Sequence, residues 1–284
     1  MRRQRDLYLF IWPWLLGFFV LTLAPVVVSI YTSFTKWNGV GDIQFIGLAN
    51  YRDLLVDPTF TRAVIVTIYY AAGSVILQVL AALGLAILLN QRVPGYTLFR
   101  TLLFVPYVVT GIPIFVIWAW LYEPNYGMVN YLLRFVGIQG PAWLESQTWA
   151  MPALIFMSIT SCGGMMLVFL AGLQTIPEEL YDAARVDGAG LVARLRRVTV
   201  PMLRPVVGFN IIWGLIIAAQ TFAQPYVMTD GGPNYWTELI GLDIYQNAFN
   251  YYRFGYASAM AVLLLAATLL LSLVVLRFSR AATT

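Results

Sequence analysis

The side chains that could do chemistry here are hydroxyls, amides and aromatic rings set inside stretches without charge. Tyr107, Thr110 and Gly111 form one group, Thr160, Ser161 and Gly164 a second, and Gln220, Thr221 and Gln224 a third. Hydroxyls and amides donate and accept hydrogen bonds, and a ring face packs against C–H surface, so these residues suit a neutral polar solute. Ser, Thr, Gly and Gln in apolar helices equally serve packing and interhelical hydrogen bonds, and residue type alone leaves both roles open. The covalent repertoire is narrower. There is no histidine, which removes the commonest metal ligand and the usual general base, and no cluster of Asp, Glu and Cys replaces it. The single cysteine, Cys162, permits no intrachain disulfide and reads as a small packing residue. The single lysine, Lys36, does not follow a glycine, so the chain has no phosphate-binding loop ending in Gly-Lys-Ser/Thr.

The elements that must position these groups are six charge-free apolar runs: Leu7–Phe34, Ala63–Leu89, Thr101–Tyr122, Trp149–Ile176, Pro205–Thr229 and Tyr256–Leu276. Of the 284 residues, 60% are hydrophobic and 11% charged, against about 25% charged in an ordinary soluble domain. So few charges cannot cover a globular surface, and the solvent for much of the chain is lipid. Each run exceeds the roughly 20 residues that a helix needs to cross the hydrocarbon. Runs this long without alternation exclude a closed barrel. The fold class predicted is an all-α integral membrane protein with six transmembrane helices, as one domain over residues 1–284. The first run follows a basic start, Met1-Arg-Arg-Gln-Arg5, but exceeds the about 7–15 apolar residues of a signal peptide and contains Trp12, Pro13 and Trp14. It is expected to stay as a span.

An even number of spans puts both termini on one side. With the termini, residues 90–100 and the 174–204 loop inside, that side holds twelve arginines, against Lys36, Arg52, Arg62, Arg134 and Arg253 outside. The bias predicts cytoplasmic termini. No basic stripe with interleaved aromatics marks a nucleic-acid surface. Three loops are then external. The first, 35–62, carries Asn38-Gly39 and Asp57-Pro58 turn signals. The second has a possible short interfacial helix over 126–136. The third opens on Gly231-Gly232-Pro233, a tight turn by composition, and places Ile240, Ile244 and Ala248 on one helical face beside Tyr245, Phe249 and Tyr252.

The 174–204 loop is the cytoplasmic loop with internal structure. Pro177 suits a first helical turn, Glu178 and Glu179 complement the helix dipole, and Leu180, Ala183 and Ala184 form an apolar stripe. Gly188 and Gly190 break that helix, and a second over 191–198 is expected to end at Pro201. On these residues alone the ledge either rests on lipid headgroups or docks another protein.

From Asp182 the pattern runs Asp-Ala-Ala, three residues, Gly188, nine residues, Val198, one residue, Val200-Pro201. It closely resembles the Glu-Ala-Ala…Gly…Ile-x-Leu-Pro loop of permease subunits in binding-protein-dependent ABC importers, with Asp182 for Glu, Val198 for Ile and Val200 for Leu. Phe45-Ile-Gly-Leu-Ala-Asn-Tyr51, Phe104-Val-Pro-Tyr107, Met228-Thr-Asp-Gly-Gly-Pro233 and Gly255-Tyr-Ala-Ser-Ala259 resemble the carbohydrate-uptake, maltose-type branch. That resemblance covers essentially the whole chain and implies a type I ABC importer permease fold.

It further implies a second homologous permease subunit in a heterodimer, two ATP-binding cassette ATPase subunits, an extracytoplasmic solute-binding protein and a sugar or related polar solute. No cofactor is implied in this chain, since ATP and Mg are bound by the ATPase partners, and the chain is no enzyme by itself. The location implied is the cytoplasmic membrane of a bacterium or archaeon. Glu178, Glu179, Asp182, Ala183, Ala184, Arg185, Asp187, Gly188 and Pro201 would form the ATPase-coupling loop. Tyr107, Gly111, Thr160, Ser161, Gly164 and Thr221 fall where maltose-type permeases place pocket residues. The rivals are an ion-coupled secondary transporter, which usually buries a carboxylate or histidine in a span, a membrane enzyme, and a channel-type or scaffold subunit with no need of the ledge spacing.

Overall fold

Apolar segments without charge leave the backbone no hydrogen-bond partner but itself in lipid, and helix results. The computed structural model describes residues 11–91, 95–109 and 111–281. In chain order it has α1 (Ile11–Ser33), a ribbon of β1 (Thr35–Lys36) and β2 (Gln44–Phe45), α2 (Ala49–Val56) and α3 (Pro58–Leu89). There follow α4 (Tyr96–Val108), α5 (Ile112–Leu121), α6 (Met128–Phe135), α7 (Ala150–Ser161) and α8 (Gly163–Gln174). The remainder is α9 (Glu178–Val186), α10 (Leu191–Met202), α11 (Arg204–Ala219), α12 (Ala223–Met228), α13 (Ile240–Tyr245) and α14 (Phe254–Ala281). The antiparallel ribbon, with Thr35 opposite Phe45, is the one exception to an all-helical chain among the described residues.

Among the described residues three helices are continuous and apolar enough to span a membrane: α1, α3 and α14 over Phe254–Val274. The other apolar stretches are pairs with a break, α4 with α5, α7 with α8 at 50°, and α10 with α11 at 69°. Counting each pair as one span gives up to six. The first pair breaks around Gly111 (φ +102°), just past Pro106. Helix α7 tightens into a 3-10 turn over Ser158–Ser161 before Gly163. The run expected at 205–229 is interrupted after Ala219, with α12 resuming at Ala223.

Two boundaries differ from the sequence expectation for physical reasons. Helix α3 begins at Pro58, where Asp57 Oδ1 accepts the Thr59 amide at 2.8 Å, and so includes Arg62. That guanidinium lies 4.6 Å from the Trp236 ring centre, which lets a cation sit at the start of an apolar helix. Pro201 does not end its helix. A π turn over Leu195–Thr199 widens the preceding coil, so the proline ring is carried without the usual clash, and the break comes at Leu203.

The chain divides into two compact units, residues 1–61 with 243–267 and residues 62–242 with 268–284. In the first, Leu54, Ala259 and Met260 are buried together beside Tyr51 and Phe60. Asn50 Nδ2 donates to the Ser33 and Thr35 carbonyls, and the Thr32 hydroxyl donates to Ser258 Oγ at 2.9 Å. The second unit has the larger core, in which Met151, Leu154, Met166 and Phe169 from α7 and α8 are almost fully buried. Helices α4 and α11 both pack on α8, and α12 packs on α5.

Candidate functional site

Within the second unit α7, α8 and α11 wall a cavity of about 500 Å³, with α3 and α4 contributing side chains. Its volume suits a small ligand. Six of the sequence-derived candidates line it: Tyr107, Thr160, Ser161, Gly164, Thr221 and Gln224. Gly164 is there for closeness. A Cβ at this position would stand 2.8 Å from Tyr107 Cζ, so only glycine lets that ring lie flat against α8. Gly111 is not part of the wall; it sits at the α4–α5 break. Gln220 is exposed and stands apart from the cavity, and Thr110 lies outside the described residues.

The polar wall residues divide by what they already bond. The Thr160 and Thr221 hydroxyls donate to the Met157 and Ile217 carbonyls of their own helices, which leaves their oxygens as acceptors. Gln224 is a brace. Its Nε2 donates to the Leu154 carbonyl at 2.9 Å and to Met157 Sδ, while its Oε1 accepts the Tyr70 hydroxyl at 2.6 Å. The sequence reading missed Gln78, Phe209, Asn210 and Trp213, which also line the cavity. Asn210, Gly214 and Ile217 follow one face of α11, and Thr221 lies two residues past its end in the same spacing, so counting back from Thr221 in steps of three and four would have found Asn210.

The loop candidates lie on α9 and α10. Glu178, Glu179, Asp182, Ala183, Arg185, Asp187 and Gly188 are exposed, and Ala184 and Pro201 are partly so. Pro177 takes the N-cap position rather than the first turn. Gly188 (φ +73°) makes the left-handed turn between the helices, which are tied by a 3.0 Å hydrogen bond between the Tyr181 and Thr199 hydroxyls. Arg185 donates to Asp182 at 2.8 Å, an exposed pair that contributes little. Three apolar side chains stand largely in the open: Val186 (88% exposed), Leu191 (76%) and Val192 (77%).

The first unit holds a pair of carboxylates. The Tyr256 hydroxyl donates to Asp57 Oδ2 at 2.6 Å. Partial burial pushes the Asp57 carboxyl upward, but the bonds from Tyr256, Thr59 and the Phe60 amide win and hold it below the usual range. Asp243 is buried, and burial with the nearby Asp57 charge raises it to about 6 despite a hydrogen bond from Asn247.

Residues 78–283 match the family described as binding-protein-dependent transport system inner membrane component. The probable ABC transporter permease protein YesP of Bacillus subtilis is 36% identical over 277 residues, covering 96% of this chain and 89% of that protein. The sulfoquinovosyl glycerol transport system permease SmoG of Agrobacterium fabrum is 35% identical, covering 92% and 86%. The trehalose/maltose transport system permease MalF of Thermococcus litoralis is 32% identical, covering 96% and 93%. Among solved structures, a chain of the bacterial alginate ABC transporter in complex with its alginate pentasaccharide-bound periplasmic protein superimposes with a TM-score of 0.87 at 21% identity, covering all of this chain and 96% of that one. The fold is therefore that of a type I ABC importer permease.

Proposed function

The chain belongs to the family of binding-protein-dependent transport system inner membrane components, and from that premise we propose that it carries a sugar or related polar solute inward, driven by ATP that partner subunits hydrolyse. The observation that carries the reading is the α9–α10 ledge. Two short helices hold Val186, Leu191 and Val192 exposed around a glycine turn, an arrangement that makes sense when another protein covers it. The partner is an ATP-binding cassette subunit, one of two that bind ATP and Mg. Their closure moves the ledge, and the bundle turns from inward- to outward-facing as a rigid-body two-state switch.

The assembly is completed by a second, homologous permease and an external solute-binding protein. Counting each bent pair as one span, the arginine bias supports cytoplasmic termini, in the membrane of a bacterium or archaeon. A sugar as cargo is supported by the relatives named for trehalose, maltose and sulfoquinovosyl glycerol. It is supported too by a cavity lined with hydroxyls, amides and rings and by no Asp, Glu, Lys or Arg. An ion-coupled carrier or channel subunit is not favoured.

The test is uptake by the complex in proteoliposomes. Ala183→Asp puts a charge on the exposed face of α9. The complex should still assemble and bind solute-loaded binding protein, but ATP turnover should no longer drive import of labelled maltose or trehalose. Normal import by this variant would remove the ledge from the coupling path.

A further inference from the structure

We infer that Asn210 donates a hydrogen bond to the transported solute; this rests on reading the α7–α8–α11 cavity as the path. Asn210 is 1% exposed, lines that cavity one turn before Gly214, and its Nδ2 has no hydrogen-bond partner. Among the described residues the other buried side-chain nitrogen in that condition is Arg194 Nε, which lies elsewhere. An amide donor in a membrane-spanning helix finds no acceptor in lipid, so leaving it unpaired is costly until something enters the cavity to accept from it.

The rest of the wall supplies acceptors to the same solute. Thr160 and Thr221 have given their protons to their own helices and offer acceptor oxygens, and the Gln224 amide is already engaged by Leu154 and Met157. A solute hydroxyl both accepts and donates, so it can take a proton from Asn210 while giving its own to a threonine oxygen. The chemical class that satisfies both sides is a neutral, hydroxyl-rich molecule. Trp213 and Phe209, on the same helix beside Asn210, supply ring surface for its C–H faces.

The experiment uses the assembled transporter with its partner subunits, given maltose, trehalose and diacetylchitobiose as probes. Asn210→Leu removes the donor and keeps the bulk. The sugar imported per ATP hydrolysed should fall at least about tenfold, while the thermal midpoint of the complex stays level or rises because an unpaired group is gone. A lowered midpoint with unchanged import per ATP would make Asn210 a packing residue and overturn the inference. In a second arm, Cys162→Ala leaves no cysteine, and Asn210→Cys or Ser161→Cys is added. A small water-soluble methanethiosulfonate should label position 210 either without nucleotide or with ATP trapped. Labelling at 161 but never at 210 leaves the path intact and overturns the role of Asn210. Labelling at neither, or import of none of the probes by the unaltered complex, overturns the proposed function and this inference with it.

Discussion

In the α9–α10 ledge apolar side chains stand exposed, whereas in the cavity wall polar side chains lie inside an apolar bundle. Both arrangements are costly for an isolated chain, and the two regions meet the cost differently. The ledge leaves Val186, Leu191 and Val192 uncovered and fixes only its own geometry, through the Gly188 turn and the Tyr181–Thr199 bond. The cavity settles several of its polar groups internally. Among the amides lining it, Gln224 is bonded through both its oxygen and its nitrogen, while Asn210 keeps an unpaired nitrogen. The difference teaches where to look for partners: on the surface they are marked by exposed apolar groups, in the interior by a polar group the fold has not used.

The contrast is most sharply broken by Gly188→Trp. A bulky residue at φ +73° adds about 1–2 kcal/mol of local strain, and the bulk blocks docking. Import by the complex should fall roughly 100-fold, the scale of a full coupling term, with circular dichroism unchanged; unaltered import would show the ledge to be idle.

A second effect tests a buried group that the fold does pair. Asp243 takes up a proton more readily folded (about 6) than unfolded (3.8). Above pH 6 the folded state bears the whole cost of its charge. As pH falls through 6 stability rises, by about 1–3 kcal/mol, and levels off below about 4. Asp243→Asn should flatten that slope in a thermal-shift series from pH 4 to 7.

Gln224→Leu should lower stability by about 1–2 kcal/mol, because the Tyr70 hydroxyl and the Leu154 carbonyl lose their partner. If thermal unfolding shows no loss, the brace is not one. The smallest effect belongs to Asp182→Ala, which removes an exposed ion pair worth less than about 0.5 kcal/mol; its thermal midpoint should not move, whatever happens to coupling.

How much of this was legible in the sequence follows the same division. The ledge was readable because Asp182-Ala-Ala, Gly188 and Pro201 keep their spacing on exposed positions, where packing imposes no pattern of its own. The apolar runs were readable from the missing charges. Their breaks were signalled only by single residues: Pro106 and Gly111 at the first, and, at the interruption after Ala219, Pro225 in the first turn of the helix that resumes at Ala223. In the cavity, sequence could name hydroxyls and amides without telling which were free. Gln224 and Asn210 look alike as letters, and only Tyr70 and Leu154, far off in the chain, distinguish them. The buried Asp243 was beyond reach for the same reason, since the neighbouring charge of Asp57 comes from the other end of the sequence.

The wide turn at Leu195–Thr199 has a consequence for phase. A π turn takes one residue more than an α turn, and one residue is about 100° of rotation about the helix axis. The angular setting between the ledge and everything after Pro201 is therefore fixed by a single extra residue. Deleting one residue there would let the coil close to α geometry and leave both flanking sequences intact. A change of length there is thus expected to be rejected, as it is at Gly188, whose spacing from Asp182 and Pro201 the ledge keeps.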